Sequence, residues 1–287
     1  MMRSLLFVPG DSLHKFAKAL GFSKADALIL DLEDSVAPAG KAEARGTVAT
    51  MLASERQGKK LFVRVNAQDT GLILDDLAAV MPLAPDGIVL PKCRHADDVT
   101  LLGQYLAAFE AAFGLPSGGT GILPIVTETG ESVLGLGSYG PDPRLRGLMW
   151  GAEDLAASIN ATDNRQGSDR DYAAPFLLAR NLSLMAASRA GVPAIDTVFT
   201  MISDLDHLRR EARIARRDGF SAKAVIHPSH VDPVNSVFQP TEAEILWAQR
   251  VVEAFEQSPG FGVVQIDGRM IDKPHERTAR NILAALA

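Results

Sequence analysis

The chain has 287 residues and a formal net charge of −6, from 29 lysines and arginines against 35 aspartates and glutamates. Hydrophobic residues make up 47% and charged residues 22% of the sequence, which is typical of a folded protein and speaks against extended disorder. The basic residues form only short runs, and no stretch approaches the ~20 apolar residues of a membrane span, so we expect neither nucleic acid nor a membrane as a partner.

Eight short apolar runs are predicted to be strands, and most are followed by a longer stretch with helical periodicity. The predicted strands are Ser4–Val8, Ala27–Leu30, Leu61–Val65, Gly87–Leu90, Ile122–Val126, Gly147–Trp150, Ala194–Val198 and Ala224–Ile226. The predicted helices are Leu13–Leu20, Lys41–Arg56, Leu72–Val80, Ala96–Phe113, Ser132–Leu136, Asp154–Ser158, Ala173–Ala190, Leu205–Asp218 and Glu242–Phe255. A repeat of roughly 30 residues is the size of a strand followed by a crossover helix.

These repeats predict an α/β fold, a (β/α)₈ TIM barrel, with an open sheet as the alternative. Apolar strands without strict alternation, such as Ala27–Leu30, are typical of a parallel sheet buried on both faces. Eight units in a chain near the ~250-residue size of such barrels favour the closed form. Within it, the polar segment Thr162–Asp171 is typical of a lid or binding loop.

The chain continues beyond the predicted barrel. We expect a barrel domain over residues 1–257 and a C-terminal extension over residues 258–287. The extension contains a strand-like run, Gly262–Ile266, and a terminal helix, Ile271–Ala285. It is surplus to the barrel, so it is expected to pack elsewhere, including on a neighbouring subunit.

Charged residues follow most of the predicted strands, and strand ends are where a barrel of this kind carries its active site. The acidic ones are Asp31, Glu33, Asp34, Glu128, Glu153, Asp154 and Asp196. Carboxylates gathered at one mouth repel each other unless a cation neutralises them, and an oxygen-only ligand set selects a hard ion such as Mg²⁺. The alternative is that each carboxylate caps the helix that follows it.

Three further residue patterns limit the chemistry. Arg64 ends a strand, where its guanidinium either binds a substrate carboxylate or pairs with Glu33 or Asp34. A zinc site is not expected, because the only close histidine pair, His227 and His230, has no obvious third ligand. The single cysteine, Cys93, cannot close an intrachain disulfide, which is typical of a cytoplasmic protein.

With these strand ends in view, the chain resembles the family of citrate lyase β-subunits (citryl-CoA lyases) and malyl-CoA lyases. Eight motifs carry the resemblance, in order and over nearly the whole chain. They are Arg3-Ser-Leu-Leu-Phe-Val-Pro-Gly10, Asp31-Leu-Glu-Asp-Ser-Val36, Arg64-Val-Asn66, Leu90-Pro-Lys92, Thr127-Glu-Thr129, Gly151-Ala-Glu-Asp-Leu-Ala156, Gly219-Phe-Ser-Ala-Lys223 and Ile226-His-Pro228. The departure from the family pattern is small, since Thr129-Gly130 stands where Thr-Ala is expected after Glu128.

The resemblance implies a (β/α)₈ barrel that acts on coenzyme A thioesters. It implies Mg²⁺, with Mn²⁺ as the alternative ion, held by Glu128 and Asp154, and it implies that Arg64 grips the keto-acid half of the substrate. It also implies that Asp272 is placed at the thioester carbon, often in a neighbouring subunit's active site, whereas position alone fits an N-cap of the last helix. Glu33 and Asp34 are further catalytic candidates.

The implied reaction splits a β-hydroxyacyl-CoA, such as malyl-, citramalyl- or citryl-CoA, into a keto acid and an acyl-CoA, or forms it. Asp272 protonates the thioester enolate in cleavage and is the base in the reverse direction. Four basic residues near the first two strand ends are candidate contacts for the phosphates of coenzyme A: Lys15, Lys18, Lys41 and Arg45.

The sequence leaves other activities and assemblies open. A thioesterase or a malate-synthase-like enzyme would use the same pocket. A subunit of a citrate lyase complex would act only on thioesters carried by an acyl-carrier partner. Otherwise the partners are small molecules, and a homo-oligomer, a trimer or a hexamer, is expected.

Overall fold

The computed structural model describes residues 2–168, 170–284 and 286, and in it all eight predicted strands pair in one parallel sheet. These strands are β1 (Ser4–Pro9), β2 (Ala27–Asp31), β3 (Lys60–Arg64), β4 (Gly87–Leu90), β5 (Gly121–Pro124), β6 (Leu148–Met149), β9 (Ala194–Asp196) and β10 (Ala222–Val225). Two short hairpins are additional: β7 (Arg165–Gln166) with β8 (Asp171–Tyr172), and β11 (Val263–Ile266) with β12 (Arg269–Asp272).

Eleven α-helices connect or follow the strands in the described part of the chain. They are α1 (Leu13–Phe22), α2 (Lys41–Leu52), α3 (Ile73–Val80), α4 (Ala96–Phe113), α5 (Gly130–Gly135), α6 (Glu153–Ser158), α7 (Ala174–Ala190), α8 (Leu205–Asp218), α9 (Val231–Phe238), α10 (Glu242–Glu256) and α11 (Lys273–Ala284). Helix α9 was not predicted. Its third residue is Pro233, which suits the first turn of a helix but in a short segment resembles a loop signal.

The sheet is nearly closed on itself, which confirms the predicted (β/α)₈ barrel. The strand order is β5-β4-β3-β2-β1-β10-β9-β6, with every pair parallel. Isolated bridges, Ile122 with Leu145 and Ile125 with Met149, join the two ends, so no continuous ladder links β5 to β6.

The barrel interior is a packed core. Alternate residues of the strands point inward, as the two-residue period of a strand requires. They include Leu5, Ala27, Ile29, Phe62, Val89, Leu123, Met149, Ile195, Ala222 and Ala224, each 3% exposed or less. The core mixes the small residues of β10, Ala222 and Ala224, with larger ones from the other strands.

The chain divides into two compact units, residues 2–235 and residues 236–287. In the second unit, Ala248, Val251, Phe255, Ile271 and Ala279 form a small core. Helix α10 begins with the predicted capping box, in which the Thr241 hydroxyl accepts from the Glu244 N–H and the Glu244 carboxylate accepts from the Thr241 N–H. The division expected at residue 257 stays a prediction about domain organisation.

The predicted start of the terminal helix needs correction. Residues 271 and 272, expected to open the terminal helix, belong to β12, and the helix begins at Lys273. The missed strand follows a tight turn in which Asp267 (φ +48°) and Gly268 (φ +76°) both adopt the left-handed conformation. An Asp-Gly pair between two short apolar runs is a strong hairpin signal, so the sequence contained the information. The predicted last residue of that helix, Ala285, lies outside the described residues.

In the described part of the chain, no helix is both long and apolar enough to cross a membrane. The segment predicted as a polar loop, Thr162–Asp171, forms much of the β7–β8 hairpin; its residue Asp169 lies outside the described residues.

Candidate active site

A cavity of about 420 Å³ opens at the carboxyl ends of the barrel strands. Its lining combines charged residues with apolar residues, which we call the apolar wall. The charged lining comprises Asp31, Asp34, Arg64, Glu128, Glu153 and Asp154, and the wall includes Phe7, Ile125, Met149, Trp150, Val198 and Ile226. This is the face on which TIM-barrel enzymes carry their active sites.

Neighbouring strands bring Asp31 and Arg64 together. The two residues are register partners at the ends of β2 and β3. Arg64 Nε lies 2.7 Å from Asp31 Oδ1 and Arg64 Nη2 lies 2.8 Å from Asp31 Oδ2, a bidentate pair. Burial alone would raise the pKa of Asp31, but the hydrogen bonds and charge of Arg64 outweigh it and lower that pKa. The pair therefore remains ionised and fixes the guanidinium at the cavity.

Arg64 also contacts the two other acids of the β2 loop. Its Nη1 lies 2.8 Å from Glu33 Oε2 and 4.0 Å from Asp34 Oδ2. Glu33 Oε2 is buried without an aligned hydrogen-bond partner, and burial raises the pKa of Glu33 despite the nearby charges of Arg64 and Lys92. Arg64 thus forms the predicted internal pair with Glu33 and also lines the cavity, so the two expectations for this residue do not exclude each other.

Glu128 is held deep in the site by the segments after β4 and β5. It is 3% exposed, and its Oε2 accepts a short hydrogen bond from the Lys92 N–H. Gly151 makes room for it, because a Cβ at that position would lie 3.1 Å from Glu128 Cγ. Burial is the largest cause that raises the pKa of Glu128 to about 8, with the negative charges of Asp154 and Glu33 adding to it.

Asp154 lies in the first turn of α6 and lines the same cavity as Glu128. The sequence therefore identified two carboxylates from separate strand ends that the fold brings to one place. Both side chains line this cavity close to Glu33, whose Oε2 lies 2.8 Å from Arg64 Nη1 without an aligned hydrogen bond. This donor set fits a hard divalent cation.

Lys92 belongs to the same cluster, and the sequence reasoning did not select it. Its Nζ lies 2.6 Å from Glu33 Oε1, 3.6 Å from Asp154 Oδ1 and 3.9 Å from Asp34 Oδ1. Burial would lower its pKa, but Glu33 and the other carboxylates raise it, so the ammonium is charged. We call Asp31, Glu33, Asp34, Glu128 and Asp154, with Arg64 and Lys92, the acidic mouth.

Asp196, expected among the strand-end carboxylates of the mouth, points into the layer between barrel and helices instead. The interior position on β9 belongs to its neighbour Ile195. Asp196 Oδ2 lies 2.6 Å from the fully buried Nζ of Lys223, and its Oδ1 accepts from Trp150 Nε1 at 2.7 Å. The side chain therefore serves an internal ion pair.

The Lys223 ammonium extends this ion pair into a larger cluster. Lys223 also contacts Glu211 on α8 at 2.8 Å, and Glu211 in turn contacts Arg165 at 2.7 Å. Arg180 lies 2.8 Å from Asp218 and 3.7 Å from Asp196. We call these residues the buried ion-pair network: Asp196, Glu211, Asp218, Lys223, Arg165 and Arg180.

The four residues predicted to bind coenzyme A phosphates have different environments. Lys15 and Lys18 are exposed on α1. Lys41 Nζ donates to the carbonyl oxygens of Leu32 (2.7 Å) and Glu33 (2.6 Å) and so holds the β2 loop in shape. Arg45 pairs with the buried Asp76 at 2.7 Å. Phosphate contact by any of the four stays a prediction.

Asp272 lies in the C-terminal unit, at the end of β12. Its side chain is 39% exposed, and its carboxylate hydrogen-bonds to the His275 ring one turn into α11. This hydrogen bond is the largest cause that lowers the pKa of Asp272. The carboxylate is therefore ionised at neutral pH.

Comparison with known proteins gives two family matches that overlap in the chain. The family described as HpcH/HpaI aldolase/citrate lyase matches residues 3–228, and the family described as C-C_Bond_Lyase of the TIM-Barrel fold matches residues 174–286. The citrate lyase subunit beta of Leuconostoc mesenteroides subsp. cremoris is 33% identical, over 99% of this chain and 92% of its own. A (3S)-malyl-CoA thioesterase of Cereibacter sphaeroides is 34% identical, over 98% of this chain and 93% of its own.

Solved structures agree with these matches. CitE from Mycobacterium tuberculosis, in complex with magnesium, acetoacetate and coenzyme A, is 32% identical, with a TM-score of 0.77 over 99% of this chain and 97% of that chain. A citrate lyase from Burkholderia xenovorans has a TM-score of 0.86 at 21% identity, over 99% of this chain and 91% of that chain, and supports the fold alone.

Proposed function

The chain belongs to the HpcH/HpaI aldolase/citrate lyase family and is a citrate-lyase-β-like lyase, and from this premise we propose that it cleaves or forms a β-hydroxyacyl-CoA thioester with the help of Mg²⁺. The observation that carries the proposal is the acidic mouth, which combines excess carboxylates with a fixed guanidinium beside an apolar-walled cavity. Such a site is suited to a substrate that carries both a carboxylate and an acyl thioester.

Glu128 and Asp154 are the proposed ligands of the ion. In the described part of the chain, no group of three or more His, Cys, Asp or Glu side chains is arranged to hold a metal. Two protein carboxylates suit Mg²⁺, which usually keeps several coordination positions for water and substrate oxygens. When bound, the ion would lower the pKa of a substrate hydroxyl and neutralise charge on the forming keto oxygen. Mn²⁺ is the proposed substitute.

Arg64 is the proposed anchor for the keto-acid half. Its bidentate contact with Asp31 uses two of its five N–H groups, so the remaining groups serve Glu33 and a substrate oxygen. Because Asp31 holds the guanidinium in place, little reorganisation is needed when negative charge develops on the substrate. Glu33 and Asp34 complete the charged side and set the field around the reacting carbon.

Asp272 is the proposed acid and base at the thioester carbon, acting in the active site of a neighbouring subunit of a homo-oligomer. Its hydrogen bond with His275 lowers the pKa of Asp272 and keeps the carboxylate ionised, the form in which it can accept a proton from the acyl-CoA, although the same shift makes it a weaker base. In cleavage, the same group returns the proton to the enolate. Lys15, Lys18, Lys41 and Arg45 are the proposed coenzyme A contacts.

Two alternatives have specific support. The (3S)-malyl-CoA thioesterase relative favours hydrolysis of the thioester in the same pocket. The citrate lyase subunit relative favours action on thioesters bound to an acyl-carrier partner within a complex. A malate-synthase-like condensation would also fit the pocket. A cytoplasmic location stays a prediction.

One assay distinguishes these activities. Purified protein is incubated with malyl-, citramalyl-, methylmalyl- and citryl-CoA, and with the same acyl groups bound to an acyl-carrier protein, in EDTA or in Mg²⁺. Keto acid and free coenzyme A are measured separately. A lyase releases keto acid and acyl-CoA only with Mg²⁺, whereas a thioesterase releases free coenzyme A. Turnover of carrier-bound but not free thioesters would indicate a complex subunit, and no Mg²⁺-dependent turnover of any thioester would contradict the proposal.

Asp272→Asn tests the proton-transfer role. We expect exchange of solvent deuterium into the acyl-CoA methyl group to fall by about 10²-fold or more, since general acid–base catalysis contributes about that much, while substrate affinity is retained. Glu276→Gln, which changes another carboxylate of the same unit that pairs with Lys273 and Arg280, is the control. An exchange rate equal to that of the unchanged protein would remove Asp272 from the mechanism.

A further inference from the structure

The turn at Lys92 places one residue against both proposed metal ligands. Lys92 follows β4 and Pro91 and adopts a positive φ of +50°, in the left-handed region that residues with a Cβ rarely occupy. Such strain persists where the surrounding contacts over-determine the conformation, and it is concentrated at functional sites. Here the turn directs the Lys92 N–H to Glu128 and the ammonium towards Glu33 and Asp154.

The backbone and the side chain of Lys92 act on different partners. The N–H occupies Glu128 Oε2, which orients that carboxylate and leaves Oε1 for another partner. The ammonium forms its closest contact with Glu33 and a looser one, at 3.6 Å, with Asp154. A contact of that length is an electrostatic one, beyond the usual range of a hydrogen bond, so the Asp154 carboxylate can be withdrawn while Lys92 keeps its bond to Glu33.

We propose that Lys92 is a positioning residue that serves as the internal counter-cation of the acidic mouth, and that it competes with the divalent ion for Asp154. This inference rests on the proposed metal site at Glu128 and Asp154. In the metal-free protein, the ammonium reduces repulsion among Glu33, Asp34 and Asp154. When a divalent ion binds, the ammonium gives up its contact with Asp154 and keeps its contact with Glu33. Its positive charge repels the ion and so lowers the affinity of the site for it.

The consequence is a metal site whose affinity is held low until substrate oxygens add to it. Five carboxylates with only Arg64 present would attract a divalent ion strongly, and Lys92 removes part of that attraction. Weak binding by two protein ligands makes the ion and the substrate carboxylate mutually dependent, because each adds binding energy to the other.

The test measures metal affinity directly, with Mn²⁺ as the probe and free Mn²⁺ followed by electron paramagnetic resonance. Lys92→Met removes the charge, and Lys92→Gly removes it while favouring the left-handed turn. Both are expected to bind Mn²⁺ about tenfold or more tightly than the unchanged protein. The Lys92 ammonium repels an ion held by the nearby Asp154, and the free energy of that repulsion is large enough to account for a tenfold change in affinity. Lys92→Arg, which restores the charge, is expected to return the affinity close to the original value.

Thermal unfolding supplies a second readout that needs no metal. In EDTA, Lys92→Met is expected to unfold several degrees below the unchanged protein, and saturating Mn²⁺ is expected to recover most of the loss. Lys60→Met is the matched control, because Lys60 pairs with Asp86 at 2.9 Å on the exposed part of β3 and should leave Mn²⁺ affinity unchanged.

The outcomes separate the two proposals. If Glu128→Gln abolishes Mn²⁺ binding but Lys92→Met and Lys92→Gly bind no more tightly than the unchanged protein, the role of Lys92 is wrong and the metal site stands. If the unchanged protein does not bind Mn²⁺, or binds it independently of Glu128, both the metal site and the competition fail. Weaker binding in both Lys92 variants would mean that Lys92 supports the ion, which also contradicts the inference.

Discussion

The acidic mouth and the buried ion-pair network are built from the same residue types but differ in charge balance. The mouth combines five carboxylates with two cations and borders the cavity, whereas the network combines three carboxylates with three cations and is largely buried. Each carboxylate of the network has at least one arginine or lysine partner, and Asp218 also lies 2.9 Å from Arg217 outside the network, so no further ion is needed there. The comparison indicates that an excess of carboxylates over cations, and not the presence of carboxylates alone, distinguishes the functional region.

The largest effect is expected from a substitution in the acidic mouth that lowers activity and leaves stability nearly unchanged. Glu128→Gln should reduce Mg²⁺-dependent turnover by about 10²–10³-fold, in the range found for loss of a main electrostatic stabiliser. The amide keeps the shape and the oxygen that accepts from Lys92, so the unfolding midpoint in EDTA should stay within about 2 °C, as for a near-neutral substitution in a domain of this size. Full turnover would remove Glu128 from the site; a large fall in the midpoint would make it structural.

The network should respond in the opposite way. Lys223→Met removes a fully buried ammonium and leaves Asp196 and Glu211 with less compensation, so the free energy of unfolding should fall by about 3–5 kcal/mol. Urea denaturation measures it. Lys60→Met, at an exposed pair, should change it by less than about 0.5 kcal/mol. A loss below about 1 kcal/mol for Lys223→Met would show that the network is not the stabilising region.

A third region, the ion pair of Glu110 with Arg144, should make a smaller and pH-dependent contribution to the free energy of unfolding. Glu110 accepts from Arg144 at 2.8 and 2.9 Å and from the N–H groups of Gly118 and Thr120, and the Arg144 hydrogen bond is the largest cause that lowers the pKa of Glu110 to about 2. A lowered carboxyl pKa stabilises the fold above the unfolded value near 4.5, and this stabilisation is lost as pH falls towards 2.

Glu110→Gln isolates that contribution. The variant should be less stable by about 1.5–3 kcal/mol at pH 7, in the range for hydrogen bonds to charged groups, and the difference should shrink between pH 4.5 and pH 2. Urea denaturation across that pH range is the measurement. A difference that stays constant down to pH 2 would show that the Glu110 charge contributes nothing.

Hydropathy and strand-end residues predicted the barrel and part of its chemistry. The apolar runs predicted eight strands because burial on both faces leaves few other arrangements. Asp31 could be placed because it directly follows such a run, and Glu128 and Asp154 because they lie within four residues of one. The sequence could not distinguish Asp196 from these residues, because it also stands at a strand end. Whether a strand-end side chain faces the mouth or the helix layer depends on the strand's stagger in the barrel, which a hydropathy pattern does not contain.

Lys92 was missed for a different reason. Its contacts depend on a left-handed turn, and nothing in Leu90-Pro-Lys92 demands a positive φ, since lysine has no preference for it. The β11–β12 hairpin, by contrast, was readable from Asp267-Gly268. The conformation of Lys92 depends on contacts with residues far away in the sequence, whereas that of the hairpin depends on the two residues of its own turn.

The interrupted pairing at the joint between β5 and β6 suggests that the proposed metal ligands also have a structural role. Glu128 follows one strand of that joint and Asp154 follows the other, and only isolated bridges connect them. An ion shared by the two carboxylates would fasten the barrel where its backbone ladder is interrupted. Amide hydrogens such as those of Val126 and Trp150, which donate across or beside this joint, should then exchange with solvent more slowly when the ion is present.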